Sequence, residues 1–522
     1  MSGRLLFGTA LVVFAAAAGH VLTADVDRLL QVVPDDTFYY LEIARHLART
    51  GRSTFDGLST TNGYHPLWMA VLWGLATLIE DRMALLRAAL GLSFVLHAGV
   101  ALGVFYAVRR LADTGWGWTA AACWLINPLA FSIAITATEA ELSALTVLGV
   151  LLAHLRLSAE YAKRRQPSTR QVLEYSAALG LLCLARTDGM VIAALGLSWL
   201  AAQSWRTGQA LRWVVLRVLV AAAAAAAIMA PWWLFSLSQV GTVVQDSGAM
   251  KMLWASERYP TALARLDNVA ATFAFFGRRC LTLMTVWNFS WASFTAFVML
   301  LGAAPMVVLT RHARSPQACA LRAVLTAMLA LTLVYGWALV ERQIWWLALP
   351  CLATMLVVFT SLPLALRAVP LSRAARWGAQ TAMVVLAVTL LARWHVKGYR
   401  PYPWQPDVRH SQLAIERIVP ASERVGVFNA GIPAFFGSRP VIALDGLVSH
   451  QARRHWQARR FDDYLARHRV GYIADEQGVM DKALRFSSGS LHLEELASFP
   501  LEGWPTGKRL LWRVTIPTQP AR

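Results

Sequence analysis

Runs such as LLFGTALVVFAAAAGHVL and VVLRVLVAAAAAAAIMAPWW leave this chain few ways to fold. About 20 apolar residues in succession cross roughly 30 Å of hydrocarbon as a helix. Within lipid, only helices and closed barrels satisfy every backbone polar group. These runs are continuous blocks without strand alternation, so they predict a helical bundle that crosses a membrane many times. A content of 57% hydrophobic and 15% charged residues over 522 positions fits that class.

The formal net charge of +19 could point to nucleic acid. The Lys and Arg residues, however, cluster between apolar runs and form no basic stripe with interleaved aromatics, so nucleic acid is excluded as a partner. Such clusters instead mark cytoplasmic loops. Candidate spans are 5–23, 84–108, 117–135, 141–158, 174–186, 189–204, 213–236, 292–310, 321–340, 343–365 and 377–393, an expected 11 helices with the N-terminus inside. Arg109 and Arg110, the Lys163 to Arg165 group, Arg206 and Arg212, Arg311 and Arg314, and Arg367, Arg373 and Arg376 then share the cytoplasmic side. The first run has no clear small-residue cleavage site and reads as a retained anchor. The chain is thus expected to be a multi-pass protein of the inner (plasma) membrane. Segments 24–83 and 237–291, a turn around Glu139, and the tail from Trp394 are expected outside. The five cysteines lie in or beside apolar regions, and neither a disulfide framework nor zinc-ligand spacing is present.

The stretch PDDTFYYLEIARHL follows the first run and places Asp35 beside Asp36. Either can cap a helix from about Thr37 to Thr50, with Tyr40, Ile43 and Leu47 on its apolar side and Glu42, Arg45 and Arg49 on its polar side. Such a helix is expected to lie flat on the membrane surface. Capping alone would account for the pair. Its place just beyond a span, facing a loop with TTNGYHPLW, also suits acid-base chemistry on a lipid-linked substrate. PLWMAVLWGLATLI, from Pro66 to Ile79, is too short to span and reads as an interfacial or bundle-packed helix.

Taken with NPL at 127–129, TATEAEL ending at Leu142, ARTDG at 185–189, QDSGAMK ending at Lys251 and AGIPAFFGSRPVIALDGLV at 430–448, the DD of the first external loop resembles the GT-C superfamily. These are integral-membrane glycosyltransferases that use polyprenyl-phosphate sugars, and the likeness extends to bacterial mannosyl- and arabinofuranosyltransferase-like members. The resemblance implies a GT-C module over 1–393, including the first external loop 24–83, and an extracytoplasmic α/β domain over 394–522. It implies an inverting transfer from a polyprenyl-phosphate donor to a hydroxyl of a cell-envelope glycan, lipid or protein. It also implies Asp35 as general base, Asp36 as its support, and Glu139 near the same site. TATEAE departs from a TGMET-like pattern, which leaves Glu141 as a competing candidate.

Departure of a phosphate calls for cations near the membrane surface. His65, Arg186, Lys251 and Arg342 are the candidates for donor and phosphate binding. Each has a structural alternative: an interfacial histidine for His65, pairing with Asp188 for Arg186, a solvated loop for Lys251, and an aromatic belt with Trp345 and Trp346 for Arg342. His97, in mid-span, reads as a helix-helix hydrogen bond, and Trp232 and Trp233 as interface anchors. Asp35, Asp36 and Glu139 offer oxygen ligands suited to Mg, Mn or Ca, but no cofactor is expected to be required.

In the tail, RVGVFNAG, RPVIALDG and VGYIAD read as short buried strands and 451–469 as helical, an α/β unit. Asp445 and Gly446 read as a turn after a strand, with acceptor contact as the alternative. The rival to catalysis is a lipid or glycolipid transporter, which the absence of visible internal repeats and the external placement of the acids disfavour.

Overall fold

The computed structural model describes residues 2–285, 315–339, 342–367, 372–396, 398–487, 491–504 and 506–516. Among these residues seven helices are long and apolar enough to cross a membrane: Gly3–Leu22, Arg82–Leu111, Ala140–Ala162, Leu211–Val240, Pro316–Ala338, Ile344–Arg367 and Arg373–Val396. The span expected at 292–310, with Arg311 and Arg314, lies outside the described residues. The expected 117–135 span is instead a broken pair, Thr114–Leu125 and Pro128–Ile135, bent by 53°. NPL makes the break. The Asn127 side chain accepts from the N–H groups of Leu129 and Ala130, and Pro128 opens the second helix without needing a donor. The expected spans 174–186 and 189–204 form the helices Thr169–Ala185 and Gly189–Arg206. The first has only 17 residues, roughly 26 Å at an α-helical rise.

The helix carrying the acidic pair departs from expectation twice. It spans Asp35–Thr50 with Pro34 as its cap residue, so both aspartates occupy its first turn rather than capping it. It is also not laid on the surface, because Thr37 to Arg45 are buried where it packs against the Pro66–Leu78 helix and the Gly431–Phe436 helix of the tail. Glu42 and Arg45, expected to face outward, neutralise each other there at 2.6 Å. Pairing of this kind is what allows two charges to be buried.

The tail forms a five-stranded sheet of β1 (Arg424–Val427), β2 (Val441–Ala443), β3 (Val470–Asp475), β4 (His492–Pro500) and β5 (Lys508–Thr515), in the order β2-β1-β3-β5-β4. β1 runs parallel to β2 and β3, whereas β5 is antiparallel to β3 and β4. The first three strands match the sequence reading, as do the helices His450–Gln457 and Phe461–Arg467. The β4-β5 hairpin was not foreseen, since HLEELASFP spaces its leucines ambiguously.

Two contacts key the tail onto the segments it packs against, and a third braces those segments. A methyl group on Gly63 would come within 2.0 Å of the Leu447 carbonyl oxygen, so only glycine permits the first loop to pass under the tail there. Asp246 pairs with His450 at 2.9 Å and Arg453 at 2.7 Å. The Asn62 side chain donates to the Val244 carbonyl and accepts from the Asp246 N–H, tying the segments before and after the Leu211–Val240 helix together.

Candidate active site

Asp35 and Asp36 are neighbours with different surroundings. The Asp35 oxygens accept from the backbone N–H groups of Gly431 at 3.1 Å and Ile432 at 2.7 Å, so its carboxyl anchors the tail's Gly431–Phe436 helix. The approach is so close that a methyl on Gly431 would meet the Asp35 backbone oxygen at 2.3 Å. Burial pushes the Asp35 carboxyl up to about 7, against the lowering effect of the two N–H donors and with help from Asp36 and Asp475. Tyr39, one turn on, reinforces the junction. Its hydroxyl lies 2.8 Å from the Phe428 carbonyl, 2.8 Å from Asp445 Oδ2 and 2.8 Å from the donating Ala430 N–H. The hydroxyl donates toward both the Phe428 carbonyl and Asp445, its one proton shared between them. Burial raises the Asp445 carboxyl to about 7, against the lowering effect of the bonds it accepts from Leu447 N–H and Tyr39. Asp445 thus serves this junction as well as the turn expected of it.

Asp36 stands where two cavities meet. One, of about 70 Å³, is lined by Tyr40, His65, Glu139, Gln245, Ser247 and Lys251; the other, of about 170 Å³, opens toward the tail and is lined by Tyr402, Trp404, Asn429, Glu476, Trp504 and Arg509. Asp36 and Trp345 line both. A third cavity of about 350 Å³, lined by apolar and aromatic side chains of the Pro66–Leu78, Thr169–Ala185 and Leu211–Val240 helices, shares Tyr64 with the first of these two. The order is thus an apolar groove, a small polar cavity, Asp36, and a cleft facing the tail.

Glu139, not Glu141, reaches this site. Ala137 takes a left-handed conformation at φ 48 between two helices, a strained turn that swings the chain so that Glu139 faces the polar cavity. Glu139 accepts from the Tyr40 hydroxyl at 3.0 Å and from Arg186 at 2.7 Å, and lies 3.6 Å from His65 Nε2. Glu141 turns into the bundle and meets His97 Nδ1 at 3.0 Å, while His97 Nε2 faces the Leu125 carbonyl. That is the helix-helix hydrogen bond expected of His97.

The four expected cations separate. Lys251 lines the polar cavity, its ammonium 5.4 Å from the centre of the Trp346 ring. His65 lines it as well; the Thr187 N–H donates to its Nδ1, which leaves the Nε2 proton pointing toward Glu139. Burial lowers the His65 pKa, which favours the neutral ring. Arg186 is 5% exposed and spends its donors on Glu139, Asp188 and Tyr335. Flanked by two carboxylates, it offers an anion no net positive charge. Arg342 faces the Ala262–Thr285 helix through Asn268 and Thr272 and lines neither cavity at Asp36. Trp345 and Trp346 are buried at the site and do not form a lipid-facing belt. Trp232, expected as an anchor, lines the apolar groove. Among the described residues no group of three or more His, Cys, Asp or Glu side chains is arranged to hold a metal ion.

Sequence reasoning missed Tyr39, Tyr40, Gln245, Trp404, Glu476 and Trp504. The tyrosines stand in the quoted FYY and could have been found by asking which residues share a helical face with the aspartates. Nothing local marks the tail residues, which reach Asp36 only through the fold.

Residues 402–513 match a family described as a domain of unknown function (DUF8728). No curated protein matches the sequence significantly. Among solved structures, ArnT from Cupriavidus metallidurans bound to undecaprenyl phosphate is similar at a TM-score of 0.54 and 14% identity, with 98% of this chain and 99% of that chain covered. An oligosaccharyltransferase from Archaeoglobus fulgidus, in complex with Zn and sulfate, is similar at a TM-score of 0.53 and 13% identity, covering 98% of this chain and 72% of that one. Both are GT-C glycosyltransferases, and the fold of this chain is accordingly that of a polytopic GT-C membrane protein with a C-terminal α/β unit.

Proposed function

We propose that this protein is an inverting glycosyltransferase of the extracytoplasmic membrane face, moving a sugar from a polyprenyl-phosphate donor to an acceptor hydroxyl. The observation that carries the reading is the line of apolar groove, polar cavity, Asp36 and tail-facing cleft. A polyprenyl chain suits the groove, and its phosphate suits the cavity that Lys251 lines. The fold likeness to ArnT bound to undecaprenyl phosphate agrees with such a donor. The residues 1–393 serve as the catalytic module and the tail closes over its site.

In the reaction, the acceptor oxygen forms a bond to the anomeric carbon as the bond from that carbon to the phosphate oxygen breaks. The acceptor proton passes to a carboxylate, and the phosphate leaves on the polyprenol. Because attack and departure lie on opposite faces, the anomeric centre inverts. We assign the base to Asp36, which borders both cavities, and give Asp35 the task of holding the tail in register. Glu139 fixes Tyr40, His65 and Arg186 around the cavity, and Lys251 offsets the charge on the departing phosphate.

The reading is tested by incubating the purified protein in detergent with a panel of polyprenyl-phosphate sugars and measuring polyprenyl phosphate release. Release from at least one donor is expected; none from any donor would favour the transporter. Lys251→Ala should raise the Kd for undecaprenyl phosphate about tenfold to a hundredfold, the loss of one charge-assisted hydrogen bond. Arg342→Ala should leave it within about threefold. An unchanged Kd in Lys251→Ala would remove that residue from the phosphate site.

The orientation has its own test. Ser498 and Ala210 are exposed, whereas four of the five native cysteines are buried and Cys319 is half-buried, so the thiol background is low. Ser498→Cys should react with a membrane-impermeant maleimide in intact cells, and Ala210→Cys only after permeabilisation. The opposite pattern would invert the topology and sink the external site.

A further inference from the structure

We propose that the tail-facing cleft at Asp36 is a saccharide subsite, so that the acceptor is a glycan and not a polypeptide or a lipid alcohol. The inference rests on the transfer reading above for its meaning, but on separate observations for its chemistry. The cleft presents aromatic faces beside polar side chains. Trp404 and Trp504 pack edge to face with centroids 4.5 Å apart, and Tyr402 stands against Trp404 at 5.9 Å and 87°. All three rings are half-buried, so each is held by its neighbours and still borders the cleft. Trp504 is further fixed by its indole N–H, which donates to Glu476.

A sugar ring has one face of C–H bonds that packs on an aromatic ring, and a rim of hydroxyls that both donate and accept. The polar lining matches that rim. Asn429 is exposed and Glu476 half-buried, and they sit at the carboxyl ends of β1 and β3. In sheets with parallel strands, ligands collect at such ends. Arg509 lies buried in the floor, donating to the Val408 and Ala474 carbonyls and to Ser411, so the polar floor is rigid before any ligand arrives.

The other acceptor classes fit less well. A lipid alcohol would be drawn to the apolar groove, which lies on the opposite side of Asp36. An extended peptide commonly binds by adding a strand to a free sheet edge. Here the edges are β2 and β4, whereas the strands whose ends meet the cleft, β1 and β3, are internal.

The test uses the full-length protein in detergent, with saturation-transfer NMR on a panel of methyl oligosaccharides of pentoses and hexoses. At least one should receive saturation through its ring protons. Its affinity should fall about tenfold in Trp504→Ala and in Asn429→Ala. Trp504→Phe, which keeps a ring, should recover part of the loss. Asn429 is an exposed surface side chain, so its variant keeps the test valid should Trp504→Ala fail to fold. Absence of saturation for every saccharide, or wild-type affinity in a folded Trp504→Ala and in Asn429→Ala, would overturn the subsite. Polyprenyl phosphate release is read separately. Saccharide binding without any release would sink the transfer reading and leave the subsite standing, whereas release driven by a peptide or a lipid alcohol, and not by a saccharide, would do the reverse.

Discussion

Asp36→Asn should lower turnover by about 100- to 10,000-fold while leaving the protein folded and able to bind undecaprenyl phosphate. A hydroxyl is a poor nucleophile until a base takes its proton, and an asparagine of the same shape cannot. The loss corresponds to roughly 3 to 5 kcal/mol of barrier. Asp35→Asn should behave differently. Both of its oxygens accept backbone N–H groups of the tail. An amide in its place turns an NH2 toward one of those donors and costs about 1 to 3 kcal/mol of docking free energy. The expected result is a lower melting temperature with a smaller loss of turnover, about tenfold or less. Pre-steady-state turnover and thermal unfolding on the same preparations separate the two. Near-normal turnover in Asp36→Asn, with collapse in a fully folded Asp35→Asn, would return the base to Asp35.

Removing the Arg186 charge should destabilise the protein more than any other single change considered so far. Its guanidinium lies between Glu139 at 2.7 Å and Asp188 at 2.8 Å, with Glu139 2% exposed. Arg186→Met would leave the buried Glu139 carboxylate and the half-buried Asp188 carboxylate without their shared cation. Breaking a buried pair by deleting one partner costs about 3 to 5 kcal/mol, most of it the cost of the stranded charge. Adding Asp188→Asn to Arg186→Met should recover part of that loss, since one stranded charge then becomes a neutral amide. Unfolding monitored by melting temperature decides this. A variant that melts like the wild type yet loses undecaprenyl phosphate would make Arg186 a phosphate ligand, the role its position in ARTDG suggested.

Much of this architecture is legible in the sequence. Apolar runs specify helices because lipid offers no other partner for the backbone, and the runs are local, so their order survives folding unchanged. For the same reason β1, β2 and β3 could be read from short apolar stretches closed by glycine turns. The NPL break is also local, but a proline and a capping asparagine inside an apolar run long enough to span are compatible with a continuous helix as well as a bent pair.

The division of labour at the site belongs to tertiary structure alone. Asp35 and Asp36 are equivalent in sequence. They differ because Gly431 and Ile432, 396 and 397 residues away, deliver their N–H groups to one of them. Glu139 and Glu141 differ for a similar reason: a positive-φ turn at Ala137 aims one at the cavity, while His97, 44 residues earlier, captures the other. Arg186 reads as a helix-end cation with Asp188 as its one neighbouring carboxylate until Glu139 is brought 2.7 Å from it. Most of the long helices, the strands β1 to β3 and the chemistry-bearing segments follow from interactions within a few turns of chain. Which carboxylate borders both cavities and which anchors the tail were decided by packing between distant segments, because in a buried site a charge is defined by what surrounds it.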